Sequence, residues 1–182
     1  PMPTTALKKH KYILVFTDHL SRYVEIVSIP NRKAETVALA FQERIIMNYS
    51  IPAKLISDCA LEFCSAVINL TCKAFGVNKV QTTPHYAAAN GIVERSNRKI
   101  LSILRNVANI NQDNWDECLS SVQTAINSAY NRSIGDTPHY VLYLEDKILP
   151  FDEEPTAEGS KTIPEFIQKQ NKLRTEMYAL VK

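Results

Sequence analysis

The sequence predicts an α/β layer fold. Three observations carry this. Two apolar runs of strand length, KYILVFTD at 11–18 and RYVEIVSI at 22–29, open the chain. Amphipathic helical stretches then alternate with two shorter strand-like runs, at 54–57 and 77–82. The remainder carries helical periodicity. Strands and helices interleaved in this way build a sheet covered by helices.

Residues 11–18 are apolar on both alternating faces, the pattern of a strand covered on both sides. His19-Leu20-Ser21 makes a turn, and residues 22–29 alternate and are rich in β-branched side chains, so the two strands pair as a hairpin. Pro30 and Asn31 end the second strand. Residues 34–49 form a helix with a stripe of Val37, Ala38, Phe41, Ile45 and Met47 or Asn48, and Pro52 marks its exit. After the strand at 54–57, residues 62–75 form a helix with Phe63, Val67, Leu70 and Ala74 on one face and Gly76 as its stop. Residues 77–82 are a strand and 84–90 an alanine-rich loop. Helices come next at 91–107 and 115–130, and Trp115 with Leu119, Val122 and Ile126 marks a core face. Residues 134–155 read as irregular around an apolar run at 140–144, and 165–180 as a helix of mixed charge.

A length of 182 residues fits one ordinary domain, and 45% hydrophobic residues exclude a disordered chain. No apolar run is long enough to span a bilayer, and no signal-peptide pattern opens the chain. The domain reading is a core over 1–150, then an acidic linker and C-terminal helix over 151–182. Cys59, Cys64, Cys72 and Cys118 form no C-x-x-C pair. They read as small reduced core residues, which excludes a zinc site or disulfide framework and places the chain in a reducing compartment. His10, His19, His85 and His139 are not spaced as a metal cage and read as structural or surface groups.

A net charge of +2 is too small to argue for nucleic-acid binding by itself. The distribution says more. Lys8, Lys9, His10 and Lys11 cluster early, Arg95, Arg98, Lys99 and Arg105 share one helix, and acids gather between Glu145 and Glu158.

Two carboxylates stand out. Asp58 closes the apolar run Lys54-Leu55-Ile56-Ser57. Glu94 lies near the start of a helical pattern, Asn90-Gly91-Ile92-Val93-Glu94-Arg95-Ser96-Asn97-Arg98, with 35 residues between the two acids. The carboxyl end of a strand is where open α/β sheets place ligands. An acid there and an acid on a later helix can share divalent metal ions, which take oxygen ligands and can drive phosphodiester chemistry. The plainer alternative is a turn-capping Asp and a helix-surface Glu.

The surrounding motifs resemble the catalytic core of retroviral and LTR-retrotransposon integrases, most closely the Gypsy type. The resemblance runs over residues 1 to about 150. It rests on Pro1-Met2-Pro3-Thr4-Thr5, on Lys11 to Val15 through Asp18-His19-Leu20-Ser21-Arg22-Tyr23-Val24-Glu25, on Ser57-Asp58 with Glu62-Phe63, and on Asn90 to Arg95 with Asn97-Arg98. Trp115, Tyr130-Asn131 and Gly135-Asp136-Thr137-Pro138 continue it in the same order. The resemblance implies an RNase H-like fold, a mixed sheet flanked by helices, and a triad of two Asp and one Glu binding two Mg²⁺ or Mn²⁺ ions. It implies 3′-end processing and strand transfer of element DNA, with DNA and further copies of the chain as partners, no membrane, and a nuclear site of action after cytoplasmic synthesis. Asp58 and Glu94 take the second and third triad places. Arg98, Lys99, Arg105 and Asn90 are the implied DNA contacts.

Three departures qualify the resemblance. Cys59-Ala60 stands where the family usually has Asn or Gln and then Gly, placing a Cβ where glycine is common. Tyr86-Ala87-Ala88-Ala89 replaces a more polar loop before Glu94, which weighs against efficient strand transfer. The family's first Asp sits on a central strand just before the Pro1 segment, so the chain reads as a fragment lacking that strand, with weak or absent metal binding and low stability alone. Asp18 is not a substitute for it. It ends a strand of roughly 17–20 Å, antiparallel to the central one, and is expected to cap the hairpin turn. Two readings therefore compete: an integrase core fragment, and a non-catalytic, decayed or host-retained module that binds DNA and multimerises.

Overall fold

The structure, a computed structural model, describes residues 2–82, 87–108 and 113–149, with isolated helical positions between 168 and 179; the side chains of 87–90 are outside the description. Backbone contacts group the chain into two units, Pro1–Thr17 with Val24–Gln123, and Asp18–Tyr23 with Thr124–Lys182. The sequence-based boundary at 150/151 falls outside the described residues. Among those described, no helix is long and apolar enough to cross a membrane.

The first unit holds the strands. β1 (Tyr12–Thr17) and β2 (Val24–Ile29) pair antiparallel from Tyr12 opposite Ile29 to Thr17 opposite Val24. β3 (Lys54–Ser57) and β4 (Asn78–Gln81) pair parallel, Lys54 opposite Asn78 and Ser57 opposite Gln81. The two pairs form separate sheets among the described residues. Only Leu14 of β1 is buried, against the expectation of a strand covered on both sides. Among the described residues β2 is its only strand neighbour, and the other backbone edge of β1 meets no strand.

α1 (Ala34–Phe41) runs into a π-helical turn, Gln42–Ile46, where the Met47 amide bonds the Gln42 carbonyl at 3.0 Å. A π turn takes up one extra residue and rotates the rest of the helix. The core stripe therefore passes from Phe41 to Ile46 rather than Ile45, and Met47 is 63% exposed. α2 (Ala66–Ala74) begins later than the sequence suggests because Ser65 caps it, its Oγ accepting from the Ile68 amide at 3.3 Å. The buried face of α2 is Ile68 and Cys72, with the partly buried Phe63 and Val67 packed against the core, while Leu70 is 65% exposed. Gly76, at φ +69°, makes the left-handed exit into β4. Leu14, Ile29, Val37, Phe41, Ile46, Ile68, Cys72 and Val77 join in one core cluster, drawn from the β1–β2 sheet, the two helices and the residue before β4, with Leu55 of β3 packed against it. Of the four cysteines only Cys72 is buried; Cys59 and Cys64 are exposed, Cys118 is intermediate, and all four are free thiols. Burial pushes the Cys72 thiol up, partly opposed by Lys79.

α3 (Ala87–Val107) starts within the stretch read as a loop, since three consecutive alanines favour the helix. It packs on β1, with Ile100 and Leu104 buried. α4 (Trp115–Ser128) comes next, with Trp115, Leu119, Val122 and Ile126 buried as expected, and the Trp115 indole N–H donates to the Pro3 carbonyl at 2.8 Å. Gln123 ties this helix to the hairpin. Its Oε1 accepts from the Ile26 amide at 2.9 Å, and its Nε2 donates to Glu25 Oε2 at 2.8 Å. Glu25 is buried and also accepts from Arg44 and from the Tyr49 hydroxyl, so a buried charge in β2 is fully partnered.

In the second unit, Asp18 Oδ2 accepts from both the amide and the hydroxyl of Ser21 at 2.7 Å, so Asp18 caps the hairpin turn as expected. Arg22 adopts the left-handed conformation there, φ 62°. α5 (Pro138–Tyr143) replaces the irregular structure read from the sequence. Thr137 caps it, Pro138 occupies its first turn, and Leu144 ends it in the left-handed region. His139 and Tyr143 pack with ring centroids 4.6 Å apart and planes tilted by 40°, and Tyr23 meets Tyr143 edge-on at 5.8 Å.

Candidate functional site

Asp58 comes directly after β3, at the carboxyl end of the parallel pair. The strand end is fixed from β4, where the Thr82 amide donates to the Ser57 carbonyl at 2.9 Å. The Asp58 side chain is exposed, and its Oδ1 accepts from the Ala60 amide at 3.1 Å. This is an Asx turn, in which a short carboxylate closes on the backbone two residues ahead. It leaves Oδ2 with no hydrogen-bond partner among the described residues. Neither Cys59 nor Ala60 has a positive φ, so the turn is made without the conformation that glycine would serve. The Cβ atoms expected to be awkward there are accommodated.

The chain then turns at once. The amides of Phe63 and Cys64 both donate to the Ala60 carbonyl, at 2.9 and 3.0 Å. Glu62 points back to Arg32 in the link between β2 and α1, whose Nε and Nη2 meet Glu62 Oε1 and Oε2 at 2.7 and 2.9 Å. The motif reading singles out Glu62 but carries no sign of this partner. The two residues are 30 apart, and only the fold brings them together. Lys79 Nζ donates to the Phe63 carbonyl and to Asn69 Oδ1, and the Cys59 thiol lies 3.4 Å from the Thr82 carbonyl.

Glu94 is exposed on α3, with no ion pair or hydrogen bond to its carboxylate among the described residues. Helical periodicity sets Glu94, Arg98 and Arg105 along one stripe, with Lys99 to its side, and all four are exposed. The opposite stripe, through Ile100 and Leu104, is the one that packs inward. Asn90 lies in the first turns of α3, and its side chain is outside the described residues, as is His85. His10 Nδ1 pairs with Ser28 Oγ at 2.8 Å, a structural role.

Among the described residues no three His, Cys, Asp or Glu side chains gather as a metal-binding group. The donors present still suit a hard cation. Asp58 and Glu94 are solvent-facing carboxylates without cationic partners among the described residues, and Mg²⁺ commonly takes one or two carboxylates with water and phosphate oxygens completing the shell.

The Integrase core domain family matches residues 2–87. The Pol polyprotein of transposon 412 from Drosophila melanogaster is 25% identical over 179 residues, which is 97% of this chain and 14% of that protein. The crystal structure of the catalytic core domain of BIV integrase superposes with a TM-score of 0.60 at 26% identity, covering 78% of this chain and 90% of that one. The HTLV-2 integrase catalytic core domain, solved in complex with magnesium in a trimeric form, gives a TM-score of 0.59 at 20% identity, covering 75% and 88%. The chain spans 14–15% of the length of the first Pol relatives it matches. With its sheets, its helices and its motifs in this order, the chain has the RNase H-like fold of retroviral integrase catalytic cores, and its residues 2–87 are similar to the integrase core domain.

Proposed function

We propose that this chain acts in DNA integration, as the core that holds element DNA and performs metal-dependent 3′-end processing and strand transfer. One observation carries the reading: Asp58 stands at the carboxyl end of a parallel strand pair, and Glu94 stands on an exposed stripe shared with Arg98 and Arg105. Asp58 and Glu94 are the residues that would hold Mg²⁺ or Mn²⁺, two ions in the complete site. Bound there, the metal would supply an activated attacking oxygen and stabilisation of the leaving one. The protein's own contribution is positional. The Asx turn at Ala60 orients the Asp58 carboxylate, and the rigid α3 presents Glu94 beside cationic side chains that neutralise backbone phosphates. Arg98, Lys99 and Arg105, with Asn90, are the proposed DNA contacts. Homo-oligomerisation and nuclear action belong to the same reading.

The test is strand transfer of a short duplex into supercoiled plasmid with Mn²⁺, using the protein and its Glu94→Gln variant. Product that depends on metal and disappears with Glu94→Gln supports the reading; equal product from both overturns it. A second reading, a DNA-binding and assembly module without chemistry, is favoured by Ala87-Ala88-Ala89 in place of polar side chains before Glu94. Salt-sensitive DNA binding without metal-dependent product, unchanged by Glu94→Gln, would select it.

A further inference from the structure

The Arg32–Glu62 pair invites an explanation beyond stability. An exposed ion pair contributes little to folding, about 0–1 kcal/mol. This one is built differently. The Glu62 side chain is only 11% exposed, and a planar guanidinium fork engages both of its oxygens. The arginine's own loop is held as well, since Asn31 Oδ1 accepts from the Lys33 amide and the Thr36 hydroxyl, both at 2.9 Å. At the other end, Glu62 belongs to the turn whose amides bond the Ala60 carbonyl, and the Ala60 amide in turn bonds Asp58 Oδ1. A continuous line of bonds thus runs from the β2–α1 link to the Asp58 carboxylate.

We propose that Arg32 and Glu62 are a positioning pair that sets the Asp58 carboxylate through the Ala60 turn. The inference rests on the reading of Asp58 as a metal-binding acid only for its functional meaning; the mechanical part stands separately. The fork holds the turn, the turn holds the Ala60 amide, and that amide fixes one carboxylate oxygen and leaves the other outward.

The test is NMR on the full chain and on Glu62→Gln, Arg32→Lys and the reciprocal Arg32→Glu/Glu62→Arg double variant. Glu62→Gln keeps size and loses charge, and Arg32→Lys keeps charge and loses the fork. Exchange of the Ala60, Phe63 and Cys64 amides is expected to accelerate roughly tenfold in each single variant, with the Leu14 and Val27 amides of the hairpin unchanged and the double variant largely restored. Exchange at the Ala60 turn that stays as in the parent, or that rises equally in the hairpin, overturns the proposal. Mn²⁺ alone is added to the same samples. Broadening of the Asp58 carboxylate carbon in the parent, at lower Mn²⁺ than in the single variants, ties the pair to metal binding. Faster turn exchange without any broadening at Asp58 sinks the metal reading and leaves the positioning pair standing.

Discussion

At the scale of single residues, His139 shows most directly how surroundings set behaviour. Its Nδ1 is buried without a hydrogen-bond partner among the described residues, and its ring packs at a tilt against Tyr143. Burial lowers its pKa below the ordinary 6.5, Lys147 lowers it further, and Asp146 and Glu145 oppose the shift. The unfolded chain therefore takes up a proton more readily than the folded one. The stability associated with neutral His139 is complete above pH 6.5 and declines as pH falls from there toward the folded value. Amide protection in α5, after correction for the intrinsic pH dependence of exchange, should fall over that acidic window, and His139→Phe should flatten the dependence; an α5 equally protected across the window would contradict this. Individual residues are also where the sequence is least legible. Asp18 announces itself through its turn position, while strand end and motif order mark Asp58 and Glu94 as candidates only. Arg32 does not announce itself, because nothing in local spacing signals a partner 30 residues away.

At the scale of elements, the hairpin and the strand Lys54–Ser57 are legible because alternation and turn residues act locally. The buried faces of two helices are not. The π-helical turn after Phe41 advances the stripe by one residue, and the Ser65 cap starts α2 later than periodicity suggests. Both depend on where hydrogen bonding begins or slips, which periodicity does not record. The cap has a measurable consequence. Ser65→Ala removes the acceptor for the Ile68 amide and should destabilise the first unit by about 1 kcal/mol in urea unfolding, with Ser65→Asp restoring most of it. A Ser65→Ala variant as stable as the parent would show that α2 is held by packing alone. α5 escapes detection because six residues are too few for a helical period to emerge, although Thr137-Pro138 is a start signal.

At the scale of the whole molecule, net charge conceals an uneven distribution. The chain is only +2 overall, yet Arg98, Lys99 and Arg105 stand exposed on one helix with Glu94. If these cations meet backbone phosphates, replacing any one with Gln should lower the slope of log affinity against log salt by about 1, with little effect on sequence preference. A slope unchanged by all three replacements would remove α3 from the DNA-binding surface. The fold is legible at this scale because the motifs recur in order along most of the chain. The division into two units is not, since it joins the hairpin turn to the C-terminal region.

Gln123 gives the hairpin a polarity of another kind. Its amide oxygen occupies the donor in the middle of β2, while β1 meets no further strand among the described residues. Among the described residues this sheet then has one flank without a strand partner. Two copies of this 182-residue chain pairing along it would close the ladder. Concentrated solutions should therefore plateau at pairs in light scattering, and lengthening fibrils should arise only once Gln123→Ala unblocks the other side.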